Sequence, residues 1–277
     1  MKAASLTKLL EEQGPFDVEG DLGAAEQRWI AWRAANGYKA VATPILGDPD
    51  SNLKLHKTGY SDSKLSVVYG LSLMPADASG IDACIWRSPE CTSACVLVTA
   101  GNSTFPSVRK ARTVKTLFLQ AYPQDFVLLL AEEIRRAAAK HGGIAVRLNV
   151  ASDLRWERIA PQLFELENVT FYDYTKAPRS QRDQLGGRYH LTFSVSEKAA
   201  SEGEALRWLE DGGNAAVVFA TKKGAALPET WHGFPVLDGD VTDARHEDLP
   251  SAVVGLRAKG SARGMKAGGF VKEAVAT

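Results

Sequence analysis

The chain has 277 residues and no cysteine outside the stretch "CIWRSPECTSAC", residues 84 to 95, which holds all three. It has no excess of charge of either sign, with 33 Lys plus Arg against 33 Asp plus Glu. That balance leaves no global basic field and disfavours nucleic-acid binding carried by charge alone. No apolar run reaches about 18 residues, so no segment reads as a membrane-crossing helix. The start, "MKAASLTKLLEEQGPFDVEGD", lacks a long apolar core and carries acids, so it does not read as a secretory leader. Also missing are a Walker loop, a G-x-S-x-G elbow, a Rossmann glycine fingerprint and any H-E-x-x-H pairing among the five histidines. These absences point to a cytoplasmic protein whose thiols stay reduced. The cysteines then read as metal ligands, as a reactive thiol or as packing.

What is present is an ordinary globular composition, 45% hydrophobic and 24% charged. The length is enough to bury a core without disulfides or metal. Residues 1–45 read as a helical extension, with Asp21 as a cap and Gly37 as a stop. Residues 43–66 read as turn-rich surface chain, followed by a strand in "SVVYGLSLMPA". Two amphipathic helices follow, "SVRKARTVKTLFLQAY" and "QDFVLLLAEEIRRAAAKHGG", separated at Tyr122-Pro123 and closed by Gly142-Gly143. Strands and helices then alternate: "IAVRLNV", "RWERIAPQLFEL" split by its proline, "VTFYDY", "YHLTFSV", "SEGEALRWLEDGG", "NAAVVFAT", "FPVLDGD" and "SAVVGLRA". That order predicts parallel pairing in one α/β domain over 46–277, either an incomplete, irregular TIM-like barrel or an open, mostly parallel sheet. The Gly- and Lys-rich end reads as a mobile basic tail with a late anchor at Phe270 and Val271.

Parallel α/β folds place their active sites beyond the carboxyl ends of the strands. Those ends carry polar clusters here: Asn149, Ser152 and Asp153; Asp173, Tyr174 and Lys176; Ser196 and Glu197; Asp240, Asp243 and Arg245. Any one cluster is explained by helix caps and turns. With Thr221, Lys222 and Lys223 after "NAAVVFAT" as a fifth, these ends, one with a lysine and a tyrosine, favour a site that handles anions or protons. Asp153, Asp173, Lys176 and Glu197 are the expected acid–base set, and the others the expected substrate contacts.

Cys91 and Cys95 are four apart, so one helix through "CTSACVLVTAG" would put both thiols on one face. With Cys84 they could bind zinc, or three irons of a 4Fe–4S cluster whose fourth iron stays open to substrate or S-adenosylmethionine. The alternative is three small buried hydrophobes. Downstream, Arg109, Arg112 and Lys115 fall on one helix stripe, which would either grip phosphates or form a solvated basic face.

The ordered blocks C-x6-C-x3-C, V-x2-A-R-x2-K-T, "VRLNVASDLRWE", "VTFYDYTKAPR", "YHLTFSVSE", "VLDGDVTDAR" and "VVGLRAKG" resemble an uncharacterised family of bacteriophage and prophage proteins, from about Lys54 to Val271. The resemblance implies a phage gene expressed in a bacterial cytoplasm. It also implies a shared site drawn from the cysteines, Arg112, Lys115 and the strand-end residues, with Trp156 and Glu157 added. It implies no activity. One departure is Asn102, which follows Gly101 where the family pattern tends to Arg and weakens the phosphate-gripping reading of that loop.

Three functions compete. The favoured one is an enzyme that modifies a nucleotide or nucleic-acid base beside an iron–sulfur or zinc centre, with S-adenosylmethionine radical chemistry as one form. The second is a zinc-stabilised nucleic-acid-binding protein of phage replication. The third is a metal-free inhibitor or adaptor of a host protein.

Overall fold

The computed structural model describes residues 3–49, 67–99 and 101–274. The turn-rich reading of 43–66 therefore lies outside the described residues from position 50 to 66. Where the sequence suggests an extension followed by one domain, the chain divides into two compact units. The first comprises residues 1–85, 106–171 and 183–189, and the second residues 86–105, 172–182 and 190–277.

The first unit opens with β1 (Ala4–Ser5) and the helix Leu6–Gln13, capped by the Ser5 hydroxyl. The helix Leu22–Ala35 follows, and the Asp21 carboxylate accepts the Ala24 N–H at 2.9 Å, as the cap signal predicts. These N-terminal residues are built into the unit. Leu6 and Leu10 are fully buried, Trp29 packs on Phe118, and the Arg155 guanidinium pairs with the Glu11 carboxylate. β2 (Val67–Gly70) and β3 (Ile81–Asp82) come next, β3 pairing parallel with β1.

The helices Pro106–Ala121 and Pro123–His141 carry much of this unit's apolar surface inward, through Val114, Phe118, Phe126, Leu130 and Ile134. Pro123 starts the second helix because its missing N–H falls where no helical bond is needed. Gly142 ends it at φ 72°, a left-handed geometry that favours glycine. β4 (Ile144–Arg147) is buried at every position. It pairs parallel with β2 on one side and with β5 (Val169–Thr175) on the other, Val146 opposite Phe171. Between β4 and β5, Pro161 splits the expected helix into Trp156–Ile159 and a 3-10 turn, Pro161–Glu165.

The second unit holds the end of β5 from Tyr172 onward and β6 (Tyr189–Ser194) from His190 onward. β7 (Asn214–Phe219) pairs parallel with β6, with β10 (Val253–Arg257) and with β11 (Val271–Lys272). β9 (Phe234–Asp238) runs parallel to β10, and the short β8 (Thr230–Trp231) pairs antiparallel to β9. The helix Ser201–Glu210 lays Ala205, Trp208 and Leu209 on Phe193, Ala215 and Val217 of one sheet face. On the other face Ala94, Ala262 and Val271 pack together, with Val218 and Phe270 against them.

The sheet is thus open and mostly parallel, and among the described residues no pairing closes a barrel. The expected mobile tail is bound from residue 260 to 272: it forms a 3-10 turn, Gly260–Gly264, and adds β11 to the sheet. Only the anchor at Phe270 and Val271 was legible, because the glycines hide a segment ordered by distant contacts. Among the described residues no helix is long and apolar enough to cross a membrane.

Candidate functional site

In the second unit Lys176, just past β5, meets the end of β6. Its ammonium donates to the Ser194 hydroxyl at 2.5 Å and to the Ser194 carbonyl at 3.3 Å, and lies 5.4 Å from the centre of the Phe270 ring. Asp173 is fully buried one turn of strand earlier. The Thr175 hydroxyl closes β5 by accepting the Ala177 N–H. Tyr174 is half-buried.

Glu197, expected to move protons, bonds to the segment around Ser88. Its two oxygens accept the Ser88 hydroxyl at 2.5 Å and the Glu90 N–H at 2.9 Å. It thereby holds the start of the short helix Pro89–Ser93, whose Ser88 cap accepts the Cys91 N–H. Burial pushes the Glu197 carboxyl up, but these bonds and the nearby Lys176 outweigh it and hold the group below the usual range. The Ser196 N–H is held by the Ser201 hydroxyl, so Ser196 is not the helix cap.

Asp240 belongs to a different cluster. It pairs with Arg257 at 3.0 Å and Lys259 at 2.5 Å, and Arg257 also takes Asp238 at 2.8 Å. Burial raises Asp240, yet Lys259 and Arg257 leave it lowered. Arg245 is buried and pairs with Asp248 at 3.1 Å. Asp243 lies two residues before it, and the Asp243 carbonyl accepts the Arg245 N–H. On the same loop the His246 ring lies 5.1 Å from Tyr172 and 6.3 Å from His190. Burial, with His190 and Arg245 adding to it, pushes His246 down to about 4. Burial lifts Asp248 to about 6 against the pull of Arg245. No spacing signal marks this histidine pair. Ser88-Pro89-Glu90, by contrast, carries an ordinary helix-start signature that went unread.

In the first unit, Asn149 is the centre of a turn. Its amide nitrogen donates to the Leu154 carbonyl at 3.0 Å and the Tyr189 hydroxyl at 3.3 Å. Its oxygen accepts the Ser152 hydroxyl at 2.8 Å and the Leu154 N–H at 2.9 Å. Asp153 is buried beside it, its N–H on the Ala83 carbonyl. Cys84 joins this turn, its thiol donating to the Ala151 carbonyl at 3.7 Å. Trp156 and Glu157 are buried in the helix that follows.

The basic stripe is divided. Arg109 is exposed and Arg112 buried, while Lys115 donates to the Ile45 carbonyl at 2.9 Å. This stripe is not a solvated face. A surface cleft of about 600 Å³ in this unit, lined by Asp17, Glu19, Arg135, Gln162 and Glu165 among others, contains none of the expected site residues.

The three cysteines fall in different units, Cys84 in the first and Cys91 and Cys95 in the second. The single helix expected through Cys91 and Cys95 is two short ones, Pro89–Ser93 and Val96–Thr99, because the chain turns at Ala94 and Cys95. Among the described residues no group of three or more His, Cys, Asp or Glu side chains is placed to hold a metal ion.

The family model described as Gene product 88 matches residues 45–273. The chain belongs to the Gene product 88 family. The match contains the seven ordered blocks and both strand-end clusters around Lys176 and Asp240, and leaves the two N-terminal helices outside it. No curated protein and no solved structure matches the chain.

Proposed function

We propose that this Gene product 88 member is a phage-encoded enzyme that acts on a nucleotide or a nucleic-acid base at the carboxyl ends of β5 and β6. The observation that supports the reading is the Lys176–Ser194 pair, set where parallel sheets present their sites. A lysine ammonium there meets a phosphate or carries a proton, and the serine hydroxyl orients it. Glu197 serves by holding the segment that carries Cys91 and Cys95. Asn149, held in its own turn by Ser152, Leu154 and Tyr189, and Lys115, bound to the Ile45 carbonyl, are outside the proposed site.

Calorimetric titration with nucleoside monophosphates and a short single-stranded oligonucleotide tests this. The native chain should bind one of them, and Lys176→Met should weaken that binding roughly 10- to 100-fold, the worth of a hydrogen bond to a charged group. Binding that is absent, or equal in K176M, overturns the reading.

The metal part of the proposal rests on the clustering of the cysteines in the sequence. Anaerobically purified protein should carry iron and sulfide with visible absorbance, lost when Cys91 and Cys95 are replaced by serine. Colourless protein without iron removes the iron–sulfur centre, and zinc in its place would make the site structural or hydrolytic.

A further inference from the structure

The second unit contains a closed circuit of contacts that ends on Lys176. Glu197, just past β6, holds Ser88 and the Glu90 N–H. The Glu90 side chain turns the other way and accepts the Phe270 N–H at 2.7 Å. The approach is close: a Cβ at Gly269 would come within 2.5 Å of a Glu90 carboxylate oxygen, so a side chain there would push the carboxylate aside. Ser261 adds a second tie between the same segments by donating to the Ser93 carbonyl at 2.7 Å. Phe270, fixed by its own N–H, lays its ring 5.4 Å from the Lys176 ammonium, and Lys176 returns the circuit to β6 through Ser194.

We infer that Glu90 is a positioning residue for Lys176, acting through the Phe270 main chain to keep an aromatic ring over the ammonium. The ring screens one side of the cation, and Ser194 holds it from another. This rests on the reading that Lys176 is the group that meets substrate. Glu90 needs only an oxygen acceptor for the task, not a charge.

Site-resolved acetylation of the full chain by a succinimidyl ester, read by peptide mass spectrometry, tests the inference without any substrate. The exposed Lys222 and Lys223 serve as internal references. Phe270→Leu and Glu90→Ala should each raise labelling of Lys176 roughly two- to fivefold, the scale of a partly desolvated cation–aromatic contact. Glu90→Gln, which keeps an acceptor oxygen, should stay at the native rate. Unchanged Lys176 labelling in F270L overturns the inference even if E90A misfolds. So does an E90Q rate equal to that of E90A, which would mean that charge rather than the Phe270 tie governs the lysine. Nucleotide protection of Lys176, measured in the same experiment, reports separately on the proposed site.

Discussion

Glu133→Ala is expected to lower the unfolding free energy by about 3–5 kcal/mol, because two buried main-chain donors each lose an acceptor worth about 1–3 kcal/mol. Glu133 stands in the middle of the helix Pro123–His141 and accepts the Ile45 and Leu46 N–H groups at 2.9 and 2.7 Å. Lys115 binds the Ile45 carbonyl from the neighbouring helix. Alanine would strand two amides of buried residues and an ammonium that burial already pushes down to about 8, against the pull of Glu133.

The carboxyl itself is lifted by burial from 4.5 to about 6, despite the two amides and Lys115. A raised acid contributes stability that is complete below 4.5 and is lost as pH rises through about 6. The gap corresponds to about 2 kcal/mol. Glu133→Gln lacks this slope, so its penalty should be about 2 kcal/mol smaller at pH 7 than at pH 4.5. Urea unfolding at the two pH values decides it. Equal penalties would mean that the carboxyl does not titrate with an altered pKa.

Asn149→Ala should cost about 3 kcal/mol, because the buried N–H and C=O of Leu154 each lose a partner worth about 1–3 kcal/mol. Asn149→Asp should not rescue it, since a carboxylate oxygen would then face the Leu154 carbonyl where the amide nitrogen now donates. The turn also carries Ala151, to which the Cys84 thiol donates, so alkylation of Cys84 should speed up in N149A. Thermal unfolding and iodoacetamide rates measure both effects. A native midpoint with unchanged Cys84 alkylation would show that the side chain does not hold the turn.

These two positions show where sequence reading stops. Lys115 and Asn149 were expected to touch substrate, because a lysine on a helix face and an asparagine after a strand are good ligand-binding types. Their type is right for hydrogen bonding, but their partners lie within the protein: the Ile45 carbonyl for Lys115, and Ser152, Leu154 and Tyr189 for Asn149. The same holds for Glu197. Its place after β6 was legible, yet its bonds go to Ser88 and Glu90, more than a hundred residues away. Spacing reports neighbours along a strand or helix and is silent about which distant amide a carboxylate meets. The cysteines make the point in reverse: twelve residues of sequence hold all three, while the fold assigns Cys84 to one unit and Cys91 and Cys95 to the other.

The sequence by itself determined the order of the longer helices and strands from residue 106 to 257, the break at Tyr122-Pro123, the stop at Gly142, the split at Pro161 and the parallel α/β class. Each of these follows from local sterics, from missing donors or from apolar periodicity, which a short window contains. It also placed Lys176 and Glu197 after the carboxyl ends of two strands, since parallel strands bring those ends to one edge. Only the tertiary structure decided that the N-terminal helices are built into the first unit, that the glycine-rich end adds a strand to the second, and that Phe270 covers Lys176. Those outcomes depend on burial and on hydrogen bonds between segments far apart in the chain. Their free energy exists only once the core has formed.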